Sequence, residues 1–304
     1  MVEEIRDISH WVVVGQEAVG ADPKFWVAES AASERPDWWL FKAPKTGLKS
    51  GRPYRRGDDW AEAVCAGLAP LVGLPSATVD LARYGDTVGV MSRNVAPPGW
   101  DLISGDTLLS EFPDYESCAG GRKPPGRPGH HPQNIAAVLD GVESPLRSPD
   151  ECPTAMSAFV GYLVFDVWVA NTDRHAENWA VLDNGRSRRL AESFDHGSAL
   201  SSGLEDHEID RFRNRVDLER FASKARAQRF AREAGRTLTD VVVDAAQLEP
   251  TAARFWRDRV CEVDTEKMTK AVADVPGMSD ARRTFVMRLL EENLRRLRDV
   301  HFDS

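Results

Sequence analysis

The stretch Ala158-Phe-Val-Gly-Tyr-Leu-Val-Phe-Asp-Val-Trp-Val-Ala170 is apolar almost all round. A helix of that composition has no face to offer to water, so it must lie at the centre of a domain with other elements packed about it. It is too short to cross a bilayer. The chain of 304 residues is long enough to surround such a helix and still build a second lobe. Its 42% hydrophobic and 29% charged residues are ordinary for a globular protein, which excludes a disordered or fibrous chain.

What precedes and follows the central helix differs in texture. Trp11–Val14, Trp38–Ala43, Ala77–Ala82 and Thr87–Met91 have the β-branched and aromatic content of strands, most simply in an antiparallel sheet. Between them Asp58 or Asp59 is expected to cap a helix with Trp60, Val64, Leu68, Leu71 and Val72 at helical spacing, ended by Gly73 and Pro75. From Gly99 to Pro153 the pattern weakens, and the Gly- and Pro-rich stretch of about 117–134 reads as a mobile surface insertion or inter-lobe loop. After the central helix come a polar loop, a hairpin of Trp179–Leu182 and Arg189–Phe194 turning at Asp183-Asn-Gly185, and a second polar loop. Beyond Leu200 the chain reads as helical, over Leu218–Glu233, Thr251–Val263 and Asp280–Val300. The expectation is an α+β fold of two lobes, a sheet lobe over 1–98 and a mostly helical lobe over 99–304.

The two polar loops carry the chemistry. In Asn171-Thr-Asp-Arg-His-Ala-Glu-Asn178, an Asp and an Asn stand at the D-x-x-x-x-N spacing of a kinase catalytic loop. Asp173 would orient or deprotonate a hydroxyl, and Asn178 would offer an amide oxygen to Mg²⁺. One hairpin later, Phe194-Asp-His-Gly197 places Asp195 where the D-F-G aspartate binds the metal. Each residue type is also a common turn former, but the order of the motifs, their separation by one hairpin and the apolar helix before them argue for a site. A phosphate-binding lysine should lie on a strand of the small lobe, and Lys42 is embedded in such an apolar strand, with Glu62 on the next helix as its partner. His175 is a further catalytic candidate, whereas His196 fits a structural hydrogen bond equally well. Ser30 and Ser33 occupy the loop after the first strands, where nucleotide phosphates would be covered, but a plain exposed turn suffices for them.

These residues resemble the HipA-like serine/threonine kinases, whose wider fold relatives include the phosphatidylinositol 3/4-kinases. The resemblance runs from about Trp38 to Leu200 through Trp39-Leu-Phe-Lys-Ala-Pro44, Leu68-Ala-Pro-Leu-Val-Gly-Leu-Pro75 and the Asn171–Asn178 loop. It implies a protein-kinase-like fold with ATP and Mg²⁺ between the lobes, Lys42 on the phosphates, Asp173 as the catalytic group, and Asn178 with Asp195 on the metal. It also implies a hinge at Met91 and Ser92 that meets adenine. Where HipA toxins carry Arg-Phe-Asp-Arg after the hinge, this chain has Ser92-Arg-Asn-Val95. The expected acceptor is a protein serine or threonine, with a small-molecule alcohol, an inositol lipid or a nucleotide-binding pseudokinase as alternatives.

Charge and cysteine usage narrow the partners. With 48 acidic against 39 basic residues the formal charge is -9, which opposes nonspecific binding to DNA or to anionic membranes. Cys65, Cys118, Cys152 and Cys261 are scattered without a C-x-x-C pair, so neither structural zinc nor a disulfide framework is expected. Met1-Val-Glu-Glu-Ile-Arg-Asp7 lacks the basic start and apolar core of a signal peptide, and a cytoplasmic location without membrane insertion is expected.

Overall fold

A computed structural model describes residues 4–16, 24–117, 127–231 and 235–302. In chain order its strands are β1 (Arg6–Asp7), β2 (Val12–Gln16), β3 (Lys24–Ala28), β4 (Trp39–Lys42), β5 (Thr46–Lys49), β6 (Arg52–Arg55), β7 (Val79–Tyr84), β8 (Thr87–Arg93), β9 (Asp101–Ser104), β10 (Ala180–Asp183) and β11 (Arg188–Leu190). Its helices are α1 (Asp58–Leu68), α2 (Gly105–Leu109), α3 (Pro132–Leu139), α4 (Ala155–Trp168), α5 (Asp206–Ile209), α6 (Arg215–Ala222), α7 (Leu238–Leu248), α8 (Pro250–Cys261), α9 (Thr265–Ala273) and α10 (Asp280–Arg298). The fold is α+β and two-lobed, as the sequence leads one to expect.

The first lobe is a six-stranded sheet in the order β1-β7-β8-β4-β3-β2, antiparallel except for the β1–β7 pair. Strand alternation sorts its side chains onto two faces. Phe41, Met91, Ala82 and Val27 join Ile8 and Trp11 in a small cluster on one face. Val79, Leu81 and Val90 pack with α1 on the other. Lys42 lies directly opposite Val90, so alternation delivers it to the α1 face. The helix itself starts one residue earlier than expected. Gly57, rather than Asp58 or Asp59, is the cap, and only glycine fits there, since a Cβ would fall 1.9 Å from the Trp60 indole nitrogen. At the other end Gly73, with φ +73°, closes the turn as anticipated.

The β5–β6 hairpin was not legible as strands. It turns on Ser50 and Gly51, both with positive φ, and nearly all its residues are exposed, so no apolar alternation marks it. It is tied to the second lobe: the Tyr54 hydroxyl and Lys49 Nζ donate to the Gly203 carbonyl at 2.9 and 3.2 Å.

In the second lobe every residue of α4 is buried, and the helix begins with a capping box between Thr154 and Ser157. α7, α8 and α10 pack around it. Gly161 on α4 lets the Trp256 ring of α8 lie against the helix, since a Cβ there would come within 2.4 Å of it. The expected hairpin is present as β10 and β11, and β9 completes a three-stranded sheet beside it. Two further expectations need correction. The helix over Leu218–Glu233 stops at Ala222, where α6 gives way to turns leading to Arg229. Of the loop of about 117–134, residues 118–126 lie outside the described residues, but His130 is buried and His131 caps α3, so its end is packed structure.

Candidate active site

α4 ends where the catalytic-type loop begins, and one ion pair sets the shape of that loop. Asp166, on the last turn of α4, takes Arg174 Nε and Nη2 at 2.7 Å each, with both side chains almost wholly buried. Asn171 Nδ2 also donates to Asp166, at 2.9 Å. Arg174 Nη1 then donates to two backbone carbonyls, Asn178 at 3.0 Å and Phe194 at 3.5 Å. A single guanidinium therefore ties the first polar loop to the second and brings Asn178 close to Asp195. Breaking such a buried, fully bonded pair from one side costs about 3–5 kcal/mol. Nothing in the sequence analysis singles out this role of Arg174, although a lone aspartate in the last turn of an apolar helix signals that a cation must meet it.

Asp173 has both carboxylate oxygens engaged. Oδ2 accepts from the Ser198 hydroxyl at 2.9 Å, and Oδ1 accepts from Arg229 Nε. Ser198 Oγ in turn accepts from Arg56 Nη2 at 2.8 Å, linking the carboxylate to the chain just after β6. Asn178 Nδ2 donates to the Asp173 carbonyl at 2.9 Å, which leaves its Oδ1 as the atom for a cation. His175 serves the local backbone: its Nδ1 accepts from the Glu177 amide at 3.2 Å, and burial lowers its pKa, so the ring is neutral near pH 7. His196 is buried between Arg174 and Ser193, and burial together with the Arg174 charge lowers its pKa to about 3.

Across the cleft Lys42 Nζ stands 3.2 Å from Asp195 Oδ2. Asp195 itself adopts a left-handed backbone, φ +60°, a conformation aspartate tolerates better than most residues. Desolvation works against its charge, yet Lys42 and then Lys24 hold its pKa below the usual carboxylate range. Glu62 is buried on α1 beside them, and there burial wins: despite Lys42 its pKa is raised to about 7. Two carboxylates compete for one buried lysine: Lys42 holds Asp195 in its charged form, while burial pushes Glu62 toward its neutral form. The expected Lys42–Glu62 ion pair is thus replaced by Lys42–Asp195, with Glu62 acting on the lysine from farther off. Lys24, directly opposite Lys42 on β3, adds a second cation that the sequence reading passed over. Like charges facing each other across a sheet are unfavourable unless an anion lies between or beside them.

Residues 17–249 match the family described as HipA-like C-terminal domain. The chain belongs to that family. Among solved structures it is similar to the Helicobacter pylori proinflammatory kinase CtkA, with a TM-score of 0.70 and 17% identity over 97% of this chain and 96% of that one. It is also similar to HipA of Shewanella oneidensis MR-1, from a complex of HipA, HipB and operator DNA, with a TM-score of 0.55 and 14% identity over 97% of this chain and 70% of that one. No curated protein sequence gives a significant match. At these identities the structural likeness shows a shared fold, and the family assignment makes this a HipA-like protein.

Within the HipA-like frame, the two residues expected at the hinge sit inside the sheet. Met91 and Ser92 lie within β8, which is paired on both sides, with β4 through Phe41 and Leu40 and with β7 through Asp80 and Val79. Their backbone groups are used in the ladder, and the Met91 side chain is buried on the face opposite Lys42. The chain leaves the sheet after Arg93, and Asn94 still bonds back to it, its amide donating to the Trp38 carbonyl at 2.9 Å. Ser30 and Ser33 sit in the β3–β4 loop, bonded to each other, at the end of the sheet away from Lys42. The connection between β2 and β3, residues 17–23, lies outside the described residues. No helix among the described residues is long and apolar enough to cross a membrane.

Proposed function

We propose that this HipA-like protein is an ATP- and Mg²⁺-dependent kinase that transfers the γ-phosphoryl group to a hydroxyl, most readily a serine or threonine of a protein. The observation that carries the reading is the Lys42–Asp195 ion pair at 3.2 Å, which joins a strand of the sheet lobe to the second polar loop of the helical lobe. Arg174 holds that loop against Asn178, so a cation of one lobe and two hard oxygen donors of the other face one space.

The donor set fits Mg²⁺: an ionised carboxylate on Asp195 and the amide oxygen of Asn178 are oxygen ligands of the kind this ion takes, leaving room for phosphate oxygens and water. When bound, the ion would neutralise charge on the phosphates. Lys42, with Lys24 opposite it, would hold the phosphate oxygens as point charges. Asp173 already accepts a hydrogen bond from a hydroxyl, that of Ser198, so its Oδ2 is set to orient an acceptor hydroxyl and receive its proton. His175, neutral and occupied with the Glu177 amide, is left to shape the loop.

The test is transfer of label from γ-labelled ATP to the protein itself or to a panel of protein, small-alcohol and inositol-lipid acceptors. Asp173→Ala and Asp195→Ala should abolish transfer, and equal labelling by Asp173→Ala and wild type would sink the assignment. Tight ATP binding with no transfer to any acceptor would favour a pseudokinase instead.

A further inference from the structure

The Asn171–Asn178 loop has no cation of its own beside the oxygens of Asp173. Arg174 spends its donors on Asp166, the Asn178 and Phe194 carbonyls and the His196 ring. His175 is neutral. The charge beside Asp173 comes from a segment 56 residues further on, where Arg229 Nε donates to Oδ1. That contact uses one of the five guanidinium N–H donors. Nη1 and Nη2 have no partner among the described residues, and the side chain is 24% exposed.

Arg229 is held there by a buried frame. His130 Nδ1 donates to the Arg229 carbonyl at 2.6 Å, while His130 Nε2 accepts from Trp179 Nε1 at 3.3 Å. The Ala231 amide donates to the His130 carbonyl at 2.8 Å, and the buried Phe230 ring stacks on the imidazole at 4.6 Å. These bonds select the neutral tautomer with its proton on Nδ1, and burial holds the His130 pKa at about 4, so the frame keeps its form at neutral pH. Trp179 directly follows Asn178, so the frame is anchored on the catalytic loop itself.

We infer that Arg229 is a phosphoryl clamp supplied in cis: its unpartnered Nη groups hold the oxygens of the phosphoryl group in flight, next to the carboxylate that orients the acceptor, and the His130–Trp179 frame sets their position. This rests on the phosphotransfer reading above. In the step, the acceptor oxygen bonds to the γ-phosphorus, the bond from phosphorus to the β,γ-bridging oxygen breaks, the nucleoside diphosphate leaves, and the hydroxyl proton passes to Asp173. Arg229 forms no covalent bond and gives up no proton. Charge on the equatorial oxygens grows or spreads in that transition state, and a planar guanidinium matches two of them at once.

The experiment uses the full chain and compares binding of Mg·ADP alone with Mg·ADP plus aluminium fluoride, a mimic of the phosphoryl in flight, by calorimetry. Wild type should gain tightness when fluoride is added. Arg229→Ala should bind Mg·ADP within about twofold of wild type and lose about 10³-fold or more of the extra tightness, the lower end of what an arginine finger contributes in phosphoryl transfer. Arg229→Lys should recover part of it. His130→Ala should fall between, and its loss should not add to that of Arg229→Ala, because it acts through the arginine. An Arg229→Ala protein that keeps the full gain overturns the clamp. So does one that loses Mg·ADP and the mimic equally, which would mark Arg229 as a structural residue. If wild type binds no Mg·ADP at all, the kinase reading falls first and the clamp with it, an outcome separable from the other two.

Discussion

Arg174 and Arg229 both reach the loop Asn171–Asn178, and they are placed by different means. Arg174 belongs to the loop, is almost wholly buried, and bonds to Asp166 only eight residues away. Arg229 arrives from the far side of α6, keeps 24% of its side chain exposed, and is positioned through its carbonyl by a histidine 99 residues away. The first arginine has the surroundings of a structural part, with every donor direction filled. The second has the surroundings of a working part, held by its backbone while its charged end stays available. An active site needs both kinds, because a reacting group is precise only when its supports are rigid.

The sharpest way to break this contrast is to remove each arginine and measure stability and activity together. Arg174→Met should cost about 3–5 kcal/mol in urea unfolding, because Asp166 would stay buried without its partner. Activity should fall with it. Asp173→Asn should keep near-native stability while transfer drops by about 10²–10⁴-fold, the size of a lost general base. A stability loss as large as that of Arg174→Met would mean that Asp173 is structural too.

A smaller effect should come from packing under the loop. Gly161→Ala on α4 would push a methyl into the Trp256 ring and cost about 1–3 kcal/mol, read as a shift in the urea midpoint without a change in slope.

The Glu62 pKa adds a pH test. In the folded protein it is raised to about 7 from an ordinary unfolded value near 4.5, so between these pH values the folded state holds more protons than the unfolded one. Stability therefore falls as pH rises through that window. Asp195 has the opposite sign, with a lowered pKa, and its contribution is lost only as pH falls below the ordinary aspartate range. Unfolding curves at pH 4.5–7 should be flatter for Glu62→Gln than for wild type, and an identical slope would refute the proton's assignment to Glu62. The least effect is expected from Ser30→Ala with Ser33→Ala: within about 0.5 kcal/mol, as for surface sites, and no change in transfer.

How much of this could be read from residues alone follows the same contrast. The α4 helix was legible from its composition, and Asp173, Asn178 and Asp195 as candidates from the order and spacing of two short motifs around one hairpin. Lys42 was legible because charge in an apolar strand is rare. Arg229 and His130 were not, since a polar segment that turns back and a Gly- and Pro-rich stretch that ends in a helix cap look like any surface loop.

By itself the sequence determined the α+β class, the central buried helix and the candidate residues Lys42, Asp173, Asn178 and Asp195, since periodicity and spacing are local and act before any folding. Only the tertiary structure decided that Asp195 rather than Glu62 pairs with Lys42, that Arg174 ties one loop to the next, and that Arg229 stands beside Asp173. Those outcomes depend on burial and on distance through space. Both are set by the packing of elements far apart in the chain.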